Sequence, residues 1–523
     1  MDPQTESAAA LWQRYRDSSA IATAEHFAGY TLPALMVDPT QNVEVRDTVV
    51  HDFQSAGGFL VNNLAAKLSG ALFPANRPNF KIEVSDDLKE AATDAGISEQ
   101  ELDQQTAELE RKASERLFLN AGLSKLQRTL KLTIVTGDCL VRRDTDASKT
   151  VVWNRHSYAV QRHPNGDVRM IILRQRFLLA SLDDAIRNDL QAKKPGKYTD
   201  PSMQVDLYTL IRTEQRTVNN VVHVKHEIDG IRVGPESQYP EHLSPWIVPV
   251  WNLADGEHYG RGLVEDFAGD FAKLSLLSKQ LGLYELDSLN ILNLVDEAAG
   301  GVVDDYQAAE TGDYVPGKTG AITAYERGDY NKMASIRAGL QEVLRRLNAA
   351  FMYTGDMRDA ERVTAAEVYQ IAREADTTLG GAYSQLAGSL QAPLAFLTMQ
   401  EVSPGLLMGL MRRDYRPSIV TGVPALSRSA ETQNLLQASQ EVATIVPVLA
   451  QADNTLDPQK LTALILTNNS VDINAIKKSP EQLRQEAEAK QAAAQAQQAA
   501  AQQSLAAASS DLTQSAQQVM GNS

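Results

Sequence analysis

Two stretches of sequence decide the fold: LVEDFAGDFAKLSLLSKQLGLY at residues 263–284 and NKMASIRAGLQEVLRRLNAAFM at residues 331–352. Both are apolar at every third or fourth position. This spacing places the apolar side chains on one face of a helix. We therefore predict two long helices, at 261–290 and 331–352, the first about 40 Å long at ~1.5 Å per residue. Between them, 291–330 is rich in Gly, Asp and Tyr. The pattern predicts two rods that carry a compact insertion.

Helical periodicity also precedes and follows this pair. Ser98 and Glu101 form a capping-box pattern at the start of one helix. Thr364 and Glu367 form a second capping box, at the start of a helix that continues towards residue 400. The further helices predicted by periodicity cover 5–29, 46–72, 99–121, 122–137 and 364–400.

The segment at 139–252 has a different pattern, because short runs of alternating apolar and polar residues replace the helical period. Alternation with a period of two is typical of strands. Two turn signals, Asn165-Gly166 and Asp229-Gly230, separate such runs. We expect a β-rich module here, with one helix near 180–193. The fold class is therefore α+β and mainly helical.

Bulk composition excludes several classes of protein. The chain has 523 residues and one cysteine, Cys139, so no disulfide can form within it. We expect Cys139 to be a buried structural thiol, because it begins an apolar run. No apolar run reaches the ~20 residues of a membrane helix, and the polar start is not a secretory signal, so we expect a soluble intracellular protein. The net charge of −16 argues against a conventional nucleic-acid binder, which carries a basic face.

The stretch GDYVPGKT at 312–319 fits the P-loop pattern, with Gly312, Gly317 and Lys318 at the positions that would cradle a phosphate. A P-loop needs a buried strand before it and a helix directly after it, so that backbone N–H groups meet the phosphates. Here the polar run 304–310 precedes the pattern and a strand-like run follows it. We therefore predict a turn in the insertion and keep nucleotide binding as the alternative.

His223 and His226 are the nearest approach to a metal-ligand pattern. Residues three apart on a strand point to opposite faces, and no cysteine or third ligand lies at close spacing. The paired acids along the chain have no sign of a shared apolar cleft. We predict no metal site, no cofactor and no catalytic residue.

Four blocks of sequence resemble the portal proteins, or head-to-tail connectors, of short-tailed, podovirus-type bacteriophages. They are VNNLAAKLSGALFP at 61–74, YGRGLVEDFAGD at 259–270, ERVTAAEV at 361–368 and DTTLGGAYS at 376–384. Their order and spacing also match that family, over about residues 5–480. The Ala/Gln-rich end of the chain matches in composition only.

This resemblance implies a non-enzymatic subunit of a ring, built from a wing, a helical stem, a clip and a crown. Members of the family form rings of twelve copies around a channel for double-stranded DNA. The implied parts are a wing at 1–260, stem helices at 261–290 and 331–352, a clip at 291–330, a tunnel loop at 353–363, a wing helix and return at 364–425, a crown at 426–500 and a flexible tail at 501–523.

The implied function is that of a portal vertex protein, through which viral DNA enters during packaging and leaves during ejection. The implied partners are the terminase, then the tail adaptor and tail tube proteins, the major capsid and scaffold proteins, and internal core proteins at the crown. The implied location is the virion, with the host cytoplasm during assembly, and no membrane. One alternative is a P-loop NTPase of the packaging motor. Another is a scaffold or capsid shell protein. A scaffold would lack the β-rich middle, and a shell protein would lack the helix–insertion–helix block.

An acidic chain suits a conduit better than a DNA-binding surface. Phosphates neutralised by Lys or Arg add affinity and would trap the duplex, whereas an acidic wall repels it over a Debye length of ~8–10 Å. Direct contact is expected at the tunnel loop, where Arg358 or Arg362 touches phosphates; the alternative is that Arg362 pairs with Glu361 or Glu367 and braces the loop. The candidate loop residues are Asp356, Met357, Arg358, Asp359, Glu361 and Arg362.

Gly380 and Gly381 interrupt the helix that follows this loop, and Pro393 lies further along it. Residues of these types predict bends rather than a straight rod. The glycine pair has two interpretations that the sequence leaves open. It is either a hinge that lets the loop move as DNA passes, or a site of close helix packing against a neighbouring subunit.

Overall fold

The computed structural model divides the chain into two compact units, Met1–Ser427 and Arg428–Ser523. Nearly all of the second unit lies outside the described residues, so the predicted crown at 426–500 and tail at 501–523 are not described further. The described residues are 6–39, 49–75, 78–84, 86–94, 96, 98–216, 220–289, 291–296, 298, 302–315, 318, 320, 322–326, 330–353, 365–379, 381–405, 418–420, 439, 440, 442–444 and 462.

The N-terminal region begins with two helices, where the sequence predicts one. Helices α1 (Ala8–Tyr15) and α2 (Ser18–Tyr30) are separate because the Asp17 side chain accepts hydrogen bonds from the backbone N–H groups of Ser19, at 2.9 Å, and Ala20, at 3.0 Å. These bonds satisfy the free donors of a new helix start. The prediction of one helix over 5–29 is wrong in this respect.

Helix α3 (Ala56–Leu72) also starts later than the predicted 46–72. The Gln54 side chain accepts a hydrogen bond from the Gly57 N–H at 2.8 Å and thereby caps the first turn. Residues 49–55 are not helical. Ten residues of α3 are buried, so this helix is part of the main hydrophobic core.

Three more helices complete this region: α4 (Asp86–Asp94), α5 (Glu99–Leu117) and α6 (Gly122–Thr136). The Ser98 side chain accepts a hydrogen bond from the Glu101 N–H at 3.3 Å, which confirms the predicted helix start. The predicted end at 121 is wrong, because the chain turns through Asn120 and Ala121, both at positive φ, before α6 begins.

The β-rich module matches the prediction. Two antiparallel sheets form it, one of three strands in the order β3-β2-β9 and one of five strands in the order β4-β5-β6-β7-β8. Asp229 and Gly230, at φ 51° and 77°, make the predicted turn. The elements are β2 (Leu140–Asp144), β3 (Lys149–Trp153), β4 (Tyr158–Arg162), β5 (Val168–Leu178), α7 (Asp184–Lys193), β6 (Gln204–Glu214), β7 (Val221–Ile228), β8 (Ile231–Pro240) and β9 (Trp246–Ile247).

The two long helices flank an insertion, as the sequence predicts. The first is α9 (Ala268–Ser288), preceded by the single turn α8 (Leu263–Asp266), so the predicted continuous helix over 261–290 is wrong. The two helices are separated at Phe267, which is not helical, and α8 packs on α6, with Leu263 and Val264 buried. The insertion contains β10 (Ile291–Val295), α10 (Val303–Ala308) and β11 (Ile322–Glu326), and α11 (Tyr330–Ala350) follows it.

The helical region after residue 364 is interrupted at the predicted glycine pair, and its turn just before Pro393 is irregular. Helix α12 (Ala365–Thr378) ends before Gly381, which has a φ of 86°, and Gly380 lies outside the described residues. A π-helical turn at Ala387–Gln391 then joins α13 (Ala382–Leu386) to α14 (Ala392–Val402), whose second residue is Pro393. Finally, β12 (Ser418–Val420) pairs antiparallel with β1 (Lys81–Glu83).

One buried cluster joins these helices to the β-rich module. It includes residues of α3, α6, α9, α11 and the α12–α14 region. Phe271 of α9 and Phe351, just after α11, meet edge to face at 5.7 Å between ring centroids, and both are fully buried. The base of the helix pair is therefore part of the core.

A buried carboxylate fixes the point where the chain passes from the β-rich module towards α9. Asp138 accepts hydrogen bonds from Arg155 Nε at 2.7 Å, from the Tyr158 hydroxyl at 2.9 Å and from the Gly260 N–H at 2.8 Å. Arg155 in turn donates to the Gly260 carbonyl at 2.5 Å. Burial raises the pKa of Tyr158 well above its ordinary value, so the phenol stays a neutral donor.

Close backbone packing at the same place requires glycine. Gly137 has a φ of 94°, and a Cβ there would lie 2.3 Å from the Gly260 carbonyl carbon. A Cβ on Gly260 would lie 2.5 Å from the Gly137 carbonyl oxygen. The two segments can approach this closely only because neither has a side chain.

We predict that Asp138→Asn lowers the free energy of unfolding by about 3–5 kcal/mol, because it leaves the buried Arg155 guanidinium without its anion. Denaturant unfolding of the purified chain measures this. Asp146→Asn, at an exposed aspartate in the β2–β3 turn, is the matched control and should change stability little. Equal stability of the two variants would contradict the assignment.

Candidate channel and assembly site

Helices α9 and α11 form an antiparallel pair held by ion pairs along its length. Arg346 lies 2.5 Å from Asp270 near the base of the pair, and Arg337 lies 2.8 Å from Glu285 near its far end. Leu277 packs beside Gly339 in the middle. These pairs are exposed, so each contributes little stability, but together they fix which residues of the two helices lie level.

The outer face of α9, opposite α11, presents three exposed leucines around the exposed Lys279. Leu276, Leu283 and Leu286 are 58%, 53% and 66% exposed. At about 100° per residue they lie within one quarter of the helix surface. Exposed leucines are common singly, but an aligned row of them at the end of a core helix marks a surface that packs against something else.

The insertion carried by the pair is a hairpin. Strand β10 pairs antiparallel with β11, with Ile291 opposite Glu326 and Val295 opposite Ile322. It also exposes large apolar side chains, which are Leu292, Leu294, Val302, Val303, Tyr314 and Ile322.

The P-loop pattern falls in this insertion and has the wrong surroundings for a phosphate site. Gly312 has a φ of 107° and follows α10, an exposed helix, while the strand β11 comes after the pattern. The order is helix, loop, strand, the reverse of the order a P-loop needs. Lys318 is exposed, and Gly317 lies outside the described residues.

The end of α11 is anchored on α3. Met352 takes a φ of 55°, and the Tyr353 N–H donates to the Asn348 carbonyl at 2.8 Å, which closes the helix end. Lys67 of α3 donates to the Met352 carbonyl, and Phe59 of α3 meets Tyr353 edge to face at 5.0 Å. Helix α3 therefore fixes where the chain leaves α11.

The predicted tunnel loop begins at this anchored end. Of the residues 353–363, only Tyr353 is described, and the candidate residues from Asp356 to Arg362, together with Thr364, lie outside the described residues. Glu367 lies in α12, but its side chain is not described. The proposed phosphate contacts of Arg358 and Arg362 stay predictions.

A segment that sequence reasoning overlooked lies against α9. Asp52 accepts a hydrogen bond from the Ser275 hydroxyl at 2.5 Å, and the Lys279 ammonium lies 4.9 Å from the centre of the Phe53 ring. Phe53 is nevertheless 63% exposed. Beside it, a cleft of about 470 Å³ lies between residues 29–33 and 51–62. Phe53 falls within the predicted helix 46–72, and that assignment hid its role.

The remaining motifs have structural explanations. His223 Nε2 lies 2.9 Å from Glu214, and His226 Nδ1 lies 3.0 Å from the Thr209 hydroxyl. Burial, followed by the nearby Arg142, lowers the pKa of His226. Cys139 is buried, as predicted, and burial raises its pKa well above the ordinary value.

The described part of the chain contains neither a cluster of metal ligands nor a membrane-spanning helix. No group of three or more metal-ligating side chains is placed to hold an ion. No described helix combines the length and apolar character that crossing a membrane demands.

Comparison with known proteins assigns the family. The family model described as "Bacteriophage head to tail connecting protein" matches residues 5–476. The chain belongs to the bacteriophage head to tail connecting proteins. The match covers the helix pair, its insertion and the β-rich module of this connector.

Relatives of this connector have one name in common. The "Portal protein" of Pseudomonas phage phiKMV is 51% identical over 485 residues, which is 93% of this chain and 94% of that protein. The "Portal protein" of Enterobacteria phage SP6 is 31% identical over 433 residues, 82% of each chain. A solved chain from the "Virion of native gene transfer agent (GTA) particle" is 12% identical with a TM-score of 0.36, covering 82% of this chain and 91% of that one. A likeness at that TM-score supports no statement about this fold.

We predict that Lys67→Met lowers the free energy of unfolding by about 1 kcal/mol, because the last turn of α11 loses a hydrogen bond from a charged donor. Thermal or denaturant unfolding measures the change. Lys149→Met, at an exposed lysine of β3, is the control and should be close to neutral. A larger loss in the control than in Lys67→Met would overturn the anchoring role.

Proposed function

We propose that this connector is the portal subunit of a short-tailed phage, which forms a ring channel for DNA entry during packaging and DNA exit during ejection. The observation that carries this proposal is the family match over 5–476, together with 51% identity to a named portal protein. The helix pair with its uncovered leucines supports it, because a ring of copies would cover that face.

The parts of the chain then take the roles expected from the sequence. Helices α9 and α11 are the stem, and the insertion between them is the clip, which docks the terminase and later the tail adaptor and tail tube proteins. The β-rich module and the N-terminal helices are the wing. Residues 353–363 are the tunnel loop, 364–425 the return through the wing, and 426–500 the crown inside the head, where internal core proteins would bind.

The proposed role is structural rather than enzymatic. The order of elements around Lys318 is the reverse of that in a P-loop, which argues against an NTPase. The proposed source of energy for packaging is the terminase, as the family resemblance implies. We propose that the ring nucleates procapsid assembly with the major capsid and scaffold proteins, beginning in the host cytoplasm. It then stays at the portal vertex of the virion.

The net charge of −16 per copy fits a channel through which DNA must slide. Like charges keep the duplex away from the wall, and the few contacts that do form are confined to a ring of identical side chains. Arg358, with Arg362, is the proposed contact. The glycines at 380 and 381 are the proposed hinge below it, since Gly381 does interrupt the helix.

The purified full-length chain should form rings with a central hole, of about twelve copies, under the electron microscope. Negative-stain images seen end-on, with the mass from light scattering, measure this. A chain that stays monomeric at every concentration and ionic strength tested would end the portal assignment.

Arg358→Ala should weaken DNA retention in filled heads while leaving DNA entry intact, because one phosphate contact per copy is lost around the whole ring. DNA released from purified heads at rising salt measures this. Arg373→Ala, at an exposed arginine of α12, is the control. Retention equal to that of the control would remove Arg358 from the list of contacts, without affecting the ring itself.

A further inference from the structure

Helix α6 has a basic outer side, although the chain as a whole is acidic. Its sequence contains three basic residues and no acidic one, in a chain with 66 acidic and 50 basic residues. Arg128 is exposed, and Lys125 and Lys131 are partly exposed. At about 100° per residue, the three lie within one third of the helix surface. They create a local positive potential on an otherwise negative molecule.

The charges of α6 are not neutralised within the described part of the chain, where none of its three basic residues forms an ion pair. The preceding helix α5 is different. There Arg111 lies 2.5 Å from Glu115. Lys112 lies 2.7 Å from Glu108. The exposed basic residues of α5 are therefore balanced by their own helix, and those of α6 are not.

The start of α6 adds to the same potential. Ala121 occupies the N-cap position and its side chain accepts no hydrogen bond, and the first turn contains no acidic residue. In α1, α2 and α5 a Ser or Asp side chain caps the corresponding position. The positive end of the helix dipole therefore reinforces the charge of Lys125 instead of being offset by a cap.

Two leucines beside the basic residues are held at the surface by the turn between α5 and α6. Leu119 is 44% exposed and Leu123 is 42% exposed. Between them, Asn120 and Ala121 both take a positive φ, at 52° and 60°, which is uncommon for residues other than glycine. The Asn120 side chain donates to the Ala147 carbonyl at 2.8 Å and ties the turn to the β2–β3 connection. The turn is therefore fixed, with both leucines facing water.

The leucines and the basic residues form one continuous surface, which we call the α6 face. Leu123 is four residues before Gln127, and Gln127 is four residues before Lys131, so these side chains follow one another along the helix. Arg128 follows Ser124 in the adjacent row. From Leu123 to Lys131 the face extends about 12 Å at ~1.5 Å per residue. It is apolar at the start of α6 and positively charged beyond it.

We infer that the α6 face binds an acidic amphipathic helix of another protein. Charge complementarity selects this partner, because its carboxylates would pair with Arg128 and Lys131. Apolar side chains of the same helix would cover Leu119 and Leu123. The inference goes beyond the proposed function and does not depend on a ring, since the α6 face belongs to a single chain.

The two leucines favour a protein partner over a DNA duplex. Phosphates would pair with the basic residues but would leave Leu119 and Leu123 in water. The net charge of −16 also opposes the approach of a duplex, which carries one negative charge per ~1.7 Å of its axis. A short acidic helix carries far fewer charges and is repelled less.

Fluorescence anisotropy with the full-length chain tests the inference. The first probe is a labelled synthetic peptide of about 20 residues, in which leucine recurs at every third or fourth position among glutamates and alanines. The second probe is a labelled DNA duplex of similar length. We expect the peptide to bind more tightly than the duplex, with an affinity that falls as the salt concentration rises.

Arg128→Glu combined with Lys131→Glu should weaken peptide binding about tenfold, because the carboxylates of the peptide then meet like charges. The matched control is Arg111→Glu combined with Lys112→Glu, the same change of charge at paired residues of α5, and should bind as the wild type does. Leu123→Ser should weaken binding about threefold without changing its salt dependence, because it removes only an apolar contact. Circular dichroism and the unfolding midpoint show whether each variant is folded.

Three results would overturn the inference: no peptide binding by the folded wild-type chain, an equal loss of binding in the α5 control, or tighter binding of the duplex than of the peptide. The last result would make the α6 face a nucleic-acid surface. A chain that binds the peptide as expected but forms no ring would reject the portal proposal alone.

Carbodiimide coupling in assembled phage particles tests the natural occupant. The reagent joins a lysine amine to a carboxylate in contact with it, and takes up the water that is released. Lys125 or Lys131 should be joined to an Asp or Glu of another protein, as identified by mass spectrometry of the linked peptides. Coupling only between copies of this chain, or no coupling at either lysine, would overturn the inference and leave the portal proposal standing.

Discussion

The hydrogen bonds of Asp138 connect the β-rich module to the backbone that leads into the pair of long helices. This single buried carboxylate binds a side chain of the β-rich module and the backbone that leads into α9. A buried charge of this kind is tolerated only when all its partners are in place. The Arg155–Gly260 bond closes the network on the other side. As a result, the direction of the helix pair is fixed relative to the β-rich module by bonds as well as by apolar packing.

A second buried ion pair joins strand β2 of the same module to helix α14. Arg143 of β2 binds Glu401 of α14 through two bonds, at 2.7 and 2.9 Å, and the Ser148 hydroxyl donates to the same carboxylate at 2.9 Å. The two networks hold both the backbone that leads into α9 and helix α14 against the β-rich module. The exposed ion pairs along α9 and α11 contribute register rather than stability, since water screens them.

Periodicity is enough to locate the pair of long helices, the β-rich module and most other helices, because each repeats one local pattern over many residues. It failed where a single side chain decides a boundary. Asp17 and Gln54 each start a helix by accepting backbone bonds, and neither changes the apolar period. The role of Asp138 depends on Arg155 and Gly260, which are distant in sequence, so no local pattern could reveal it. The glycines around Arg261, with Gly137, are the local sign of a close backbone approach.

The anchoring of Met352 and Tyr353 on α3 has a geometric consequence for any closed assembly of this chain. The exit from α11 is tied to Lys67 and Phe59, which belong to α3. In a ring of identical copies, the distance between this exit and the symmetry axis would then be set by the distance of α3 from that axis. The width of the opening at that height would then depend on the position of α3. An outward or inward shift of α3 would widen or narrow the passage without any change within α9 and α11.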